Sequence, residues 1–334
     1  MKSLVIHGKQ DIRWEDRDSP EPGPGQVRLR VQFVGICGSD LHYYFHGANG
    51  EYTLREPLVP GHELSGVVDL DPSGRLAPGT PVTVHPARYG ADAPGLEDHP
   101  HLRPGGDYLG SAATDPHRQG GASELLLVEE HMIRVLPATL PVQRAALAEP
   151  LAVALHAVAL AGDLTGRRAL VIGAGPIGLL VAAAALHAGA ELVGASDVRP
   201  EPLERAQSLG AGETWLVGRD TTPNESYDVV FECSGVGAAL TQAVRAARRT
   251  GTIVQVGMLP NAEIGVNLAP LLAKELTVRG AFRFSTEIDD AVAMLAESDA
   301  FDAVISHVVP ASDPVPAFEL ARDSSASAKV LLAL

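Results

Sequence analysis

Cysteine is scarce in this chain: Cys37 and Cys233 are the two present among 334 residues. Two thiols cannot build a disulfide framework, and a reducing compartment such as the cytoplasm, where a thiolate ligand persists, is the expected address. Basic residues are also in deficit, 26 Lys and Arg against 41 Asp and Glu, for a formal charge of -15. Such a surface repels phosphate backbones and anionic bilayers, so neither nucleic acid nor a membrane is an expected partner. The longest apolar runs, such as Leu179 to Leu186, are too short to span a bilayer, and the opening residues show no basic stretch leading into an apolar signal core.

What is there points to two domains, the usual outcome at this length. In residues 26–34, Val27, Leu29, Val31 and Phe33 alternate with Gln26, Arg28, Arg30 and Gln32, the period-2 pattern of a half-buried strand ended by Gly35. Short strands are expected near Leu64–Leu70, Pro81–Val84 and Glu124–Val128, separated by Pro/Gly turns, which predicts a mostly β first domain. Ala87 to Gly121 is rich in Gly, Pro, His and Asp without periodicity and reads as a long excursion. Val142 to Gly162 is helical and Ala-rich, with Pro150 expected to open a second helix and Glu149 to sit at the break.

Beyond Arg168, strand and helix patterns alternate: Ala169–Ile172, Pro176–His187, Leu192–Ser196, Glu201–Leu209, Asp228–Phe231 and Ile253–Val256. This rhythm predicts a doubly wound parallel sheet, and hence an α/β protein. After Phe284 the rhythm fades, and the helical segment Ile288–Ala296 and final strand Lys329–Leu334 are expected to return to the first domain. The expected division is 1–150, completed by 285–334, and 151–284.

Two groups of residues carry chemistry. In Gly173-Ala174-Gly175-Pro176-Ile177-Gly178, Gly173 suits a tight turn, Gly175 a close pyrophosphate approach and Gly178 a helix-strand contact. Such a spacing alone is weak, but this one follows an apolar strand, opens a helix and has Asp197 nineteen residues past Gly178. Asp197 is placed to take ribose hydroxyls and to repel a 2'-phosphate, favouring NAD, while Arg199 partly offsets that repulsion and leaves NADP open.

The second group is Cys37, His62, Glu63 and Glu149, four candidates for a catalytic zinc that takes about three protein ligands. Glu63 and Glu149 are alternatives for direct ligation, and Asp40 is the expected acceptor that orients His62. Cys37 or His62 alone would read as an ordinary buried side chain; their shared context favours the metal. Cys233 has no such context and reads as core packing.

Gly35-Ile36-Cys37-Gly38-Ser39-Asp40-Leu41-His42-Tyr43-Tyr44, Gly61-His62-Glu63, Ala148-Glu149-Pro150-Leu151-Ala152-Val153, the glycine fingerprint and Arg279-Gly280-Ala281-Phe282-Arg283-Phe284 together resemble the zinc-dependent medium-chain dehydrogenases, in particular their polyol and sugar-acid members. The resemblance spans nearly the whole chain. It implies a GroES-like β domain plus a Rossmann domain, zinc on Cys37, His62 and Glu63 with Glu149 near it or bound through water, and a proton relay of Ser39 and His42. It further implies a substrate pocket lined by Tyr43 and Arg283, a small-molecule substrate and a homo-oligomer, dimer or tetramer. Many members carry four cysteines for a structural zinc where this chain has Ala87–Gly106 and none, so one zinc per chain is expected.

Overall fold

The strand Gln26–Gly35 buries Val27, Leu29 and Val31 and leaves Arg28 and Arg30 less covered, as their alternation requires. Its pairing with Glu63–Leu70 shifts register between Val31 and Phe33, so that Val34 rather than Phe33 is buried beyond that point. An irregularity of this kind reverses which face a residue takes, and period-2 reading cannot see it.

The computed structural model describes residues 1–334, which form two compact units: Met1–Glu149 with Ile288–Asp323 and Lys329–Leu334, and Pro150–Glu287 with Ser324–Ala328. The first unit is built on a seven-stranded sheet. Its path runs Ile133–Val135, Pro81–Val84, Glu63–Leu70, Gln26–Gly35, Lys329–Ala333, Ile305–Pro310. Leu125–Glu129 pairs with the first half of Gln26–Gly35, and the last strand of the chain, Lys329–Ala333, pairs antiparallel with its second half. Residues 87–121 are largely irregular, pinned by the pairing of Ala87–Arg88 with Asp107–Tyr108 and by ion pairs of Arg88 with Asp107 and Glu129.

The second unit holds a six-stranded parallel sheet ordered Glu213–Leu216, Leu192–Asp197, Arg168–Ile172, Tyr227–Glu232, Ala247–Gln255, Thr277–Gly280. In chain order this is 3-2-1-4-5-6, which reverses direction beside Arg168–Ile172 and so opens a crevice at the carboxyl ends of the strands there. The edge strands Glu213–Leu216 and Thr277–Gly280 escaped sequence reading because neither carries a fully buried residue to mark it. No helix of the chain is long and apolar enough to cross a membrane.

One helix start differs from expectation. The break lies at Ala146–Leu147, and Ala148–Ala161 is a single helix with both Glu149 and Pro150 in its first turn. A proline there removes only an N–H that would have no helical partner.

Candidate metal centre and nucleotide site

Cys37 lies where the strand Gln26–Gly35 gives way to the helix Gly38–His46, and it caps that helix in an extended conformation. Asp40, in the first turn, is 1% exposed. One of its oxygens accepts from Cys37 N at 2.9 Å and the other from Gly61 N at 3.2 Å. The carboxylate therefore staples the Cys37 turn to the Gly61-His62 turn. The expected bond from the His62 ring to Asp40 is not the one formed: both oxygens are engaged by backbone amides, and His62 Nδ1 is buried without a partner.

Glu63 opens the strand Glu63–Leu70 opposite Gly35. A side chain at position 35 would collide with the Glu63 carboxylate, so glycine at that point is what lets the acid approach the Cys37 turn. Ligand atoms of Cys37, His62 and Glu63 all lie within 4.8 Å of one another. Lys329, first residue of the final strand, is buried against them. Its Nζ lies 2.7 Å from each Glu63 oxygen, donating to Oε1, and donates to Ile36 O at 3.1 Å.

Glu149 is buried outside that group of three, and its Oε1 accepts from Tyr108 Oη at 2.5 Å. The Tyr108 ring stands edge-on to His62, centroids 5.3 Å apart. Sequence reading missed Tyr108 and Lys329. Tyr108 sits in an aperiodic stretch, and Lys329 is 266 positions from Glu63, so neither had a local signal.

This donor set fits zinc. It supplies a sulfur, an imidazole and carboxylate oxygen, the ligand types of a catalytic site. Charge argues the same way: Asp40, Glu63 and Glu149 are buried, with Lys329, bonded to Glu63, as the permanent cation. Burial raises the Asp40 and Glu149 carboxyls, and the charge of Glu63 adds to both shifts. Burial alone would lower His62, but the Cys37 sulfur beside it, with Glu149 and Asp40, raises it to about 10. The cluster thus favours an added positive charge, which zinc would supply, and the buried Nδ1 of His62 shows a ring not fully committed to protein partners.

Ser39 and His42, three positions apart on the helix Gly38–His46, share one side of it. His42 is exposed, and partial burial of its ring followed by the charge of His46 lowers its pKa, which favours the neutral form. Tyr43 is 1% exposed in the core, its hydroxyl accepting from Ala112 N at 3.0 Å.

In the second unit, Gly173 has a φ of 91°, and a Cβ there would meet Ser234 at 2.9 Å. A Cβ on Gly175 would meet nothing within 4 Å, whereas one on Gly178 would collide with Gly173 O. Gly175 caps the helix Pro176–His187, whose first turn holds Pro176, Ile177 and Gly178. Open space before those N-terminal amides is an anion cradle. Asp197 ends the strand Leu192–Asp197, accepting from Ala174 N at 2.8 Å and Arg199 N at 3.0 Å. The cradle therefore fits a dinucleotide. Arg199 is exposed. Cys233 follows the strand Tyr227–Glu232, its N–H donating to Ile172 O. Arg283 stands in a left-handed conformation, φ 53°, with its guanidinium 4.9 Å from the Phe282 ring centroid.

A GroES-like β unit bearing a Cys-His-Glu group and a Rossmann unit bearing a phosphate cradle define a metal-dependent dehydrogenase. Residues 23–138 match the alcohol dehydrogenase GroES-like domain and residues 176–297 the zinc-binding dehydrogenase family. The chain belongs to the zinc-dependent alcohol dehydrogenase family, NAD(P)-using oxidoreductases that act on CH–OH groups. It is 32% identical to the L-idonate 5-dehydrogenase (NAD(P)(+)) of Escherichia coli, over 99% of this chain and 98% of that one. It is also 32% identical to sorbitol dehydrogenase of Gallus gallus, over 96% and 93%. The crystal structure of the Escherichia coli L-idonate 5-dehydrogenase superposes with a TM-score of 0.94 at 31% identity, covering 100% of this chain and 98% of that one.

Proposed function

We propose that the protein oxidises a secondary alcohol of a sugar acid or polyol with NAD, and that L-idonate, converted to 5-keto-D-gluconate, is the leading substrate. Oxidation of sorbitol or xylitol is the second reading, favoured by the equal identity to the sorbitol dehydrogenase. The carrying observation is the gathering of Cys37, His62 and Glu63 within 4.8 Å. A zinc-free quinone or enoyl reductase, or a non-catalytic NAD-binding protein, has no need of that donor set.

One zinc per chain would be held by Cys37, His62 and one carboxylate, Glu63 in the geometry seen and Glu149 as its alternate. Bound there, zinc acts as a Lewis acid that lowers the pKa of a substrate hydroxyl. Ser39 receives the hydroxyl proton, and His42, neutral and exposed, passes it to solvent. Gly173, Gly175, Pro176, Ile177 and Gly178 seat the dinucleotide that takes the hydride, and Asp197 reads its ribose. Arg283 is the cation that meets a substrate carboxylate.

The edge strand Thr277–Gly280 is exposed at all four residues. Open edges pair readily, and this one favours a homo-oligomer in which a second copy covers it. A thiolate ligand supports a cytoplasmic address.

The test is NAD reduction by the zinc-loaded protein with L-idonate, D-gluconate, sorbitol, xylitol and simple secondary alcohols, with and without a chelator. Chelator-sensitive preference for L-idonate is expected. Preference for neutral polyols would move the assignment to the sorbitol type, and absence of turnover on all of them would return the reductase and non-catalytic readings.

Cofactor choice has its own test. Asp197→Ala should weaken NAD binding by about tenfold, the loss of a hydrogen bond to a charged group, and NADP binding less. Equal losses for both, by titration calorimetry, would show that Asp197 does not read the ribose.

A further inference from the structure

The loop 281–287 joins the strand Thr277–Gly280 to the helix Ile288–Glu297 and carries Arg283. At its start Ala281 N donates to Gln255 O at 2.9 Å. Phe284, 1% exposed, anchors its middle in the apolar interior. At its end, Glu287 Oε2 accepts from Ser285 N at 2.6 Å, and Oε1 lies 2.7 Å from Nδ1 of His156, a buried residue of the helix Ala148–Ala161.

Arg283 stands between the first and second of these anchors with a positive φ, an uncommon state for a residue with a side chain. Such a conformation persists only where its surroundings over-determine it. The polar anchor, which starts two residues on at Ser285 N and runs to Glu287, is one such constraint. Burial would raise the Glu287 carboxyl, yet its bonds to His156 and to backbone amides, its own and that of Ser285, bring it down to about 2. A carboxylate held that firmly stays ionised across the working range of the protein. Phe284 supplies a non-directional contact, whereas the bonds to His156 and Ser285 N fix the end of the loop.

We propose that His156 and Glu287 are positioning residues for Arg283, and that through this latch they set selectivity for alcohols bearing a carboxylate over neutral polyols. The inference rests on the reading that Arg283 meets the substrate carboxylate. Neither latch residue touches the reacting atoms; their effect passes through the backbone of 283–287.

Glu287→Ala should raise KM for L-idonate or D-gluconate about tenfold, the size of one charge-assisted bond lost, with kcat within about twofold. KM for sorbitol should be unchanged. Glu287→Gln keeps an oxygen for Ser285 N and should recover part of the loss, which also guards against a variant that folds poorly. Arg283→Ala should raise the same KM, and Glu287→Ala combined with it should add little, since both remove one interaction. Amide exchange across 281–287 should quicken in Glu287→Ala. A parallel rise in KM for sugar acid and polyol, full additivity, or unchanged exchange would overturn the latch. If Arg283→Ala itself leaves KM for the sugar acid unaltered, the reading of Arg283 fails, and the latch as a selectivity device fails with it. If Arg283→Ala has its effect and Glu287→Ala has none, the latch alone fails.

Discussion

Cys37→Ser is expected to strip most zinc from the protein and to lower kcat by more than about 100-fold, beyond what loss of a supporting bond around a metal ligand costs. The reason lies in the donor set. Cys37 supplies the one sulfur among ligand atoms within 4.8 Å, and a serine hydroxyl at neutral pH offers neither the charge nor the softness of a thiolate. NAD binding should stay within a few-fold of the parent, because the glycine cradle and Asp197 belong to the other compact unit. Metal content by atomic absorption and NAD affinity by fluorescence titration separate the two effects. Full zinc occupancy in the variant would remove Cys37 from the metal site.

The second large effect is on folding. Lys329→Met should destabilise the metal-free protein by about 3–5 kcal/mol, the usual result of removing one partner from a buried ion pair. Lys329 and Glu63 are 3% and 1% exposed in their side chains, so Glu63 would be left as an uncompensated charge. Burial lowers the Lys329 ammonium, but Glu63, Cys37 and Glu149 together outweigh burial and raise it. A raised lysine stabilises fully below its unfolded pKa, about 10.4, and loses that contribution as pH climbs through the folded value. The pair is therefore intact at neutral pH and weakens only in strong alkali. Urea unfolding of the chelator-treated variant measures the loss, and Glu63→Gln in the Lys329→Met background should return part of it. A Lys329→Met variant as stable as the parent would show that Glu63 is neutralised by other means.

Much of the nucleotide site was legible because its requirements are local. A tight turn, a close approach and a helix start fall within Gly173–Gly178, and each step is set by residues adjacent in the chain. The strand alternation of Gln26–Gly35 was legible up to Val31 for the same reason and lost beyond it, where a register shift against Glu63–Leu70 exchanges Phe33 for Val34. The candidate metal ligands were legible as types: a thiol, an imidazole and acids beside turns. Their partners were not. Asp40 was read as the acceptor for His62, whereas the fold gives both its oxygens to backbone amides, one of them 21 positions away. That Tyr43 lies among the buried residues of the helix Gly38–His46 was likewise not legible locally.

The sequence by itself determined the periodic elements, the phosphate cradle and the chemical kinds of the donor atoms, all properties of residues near one another in the chain. Tertiary structure alone decided that Glu63 lies beside Cys37 and His62, that Lys329 from the final strand pairs with it, that Tyr108 holds Glu149, and that Glu287 reaches back to His156. The reason is physical: burying a charge demands a partner, and any distant residue that the fold brings within 3 Å can supply it.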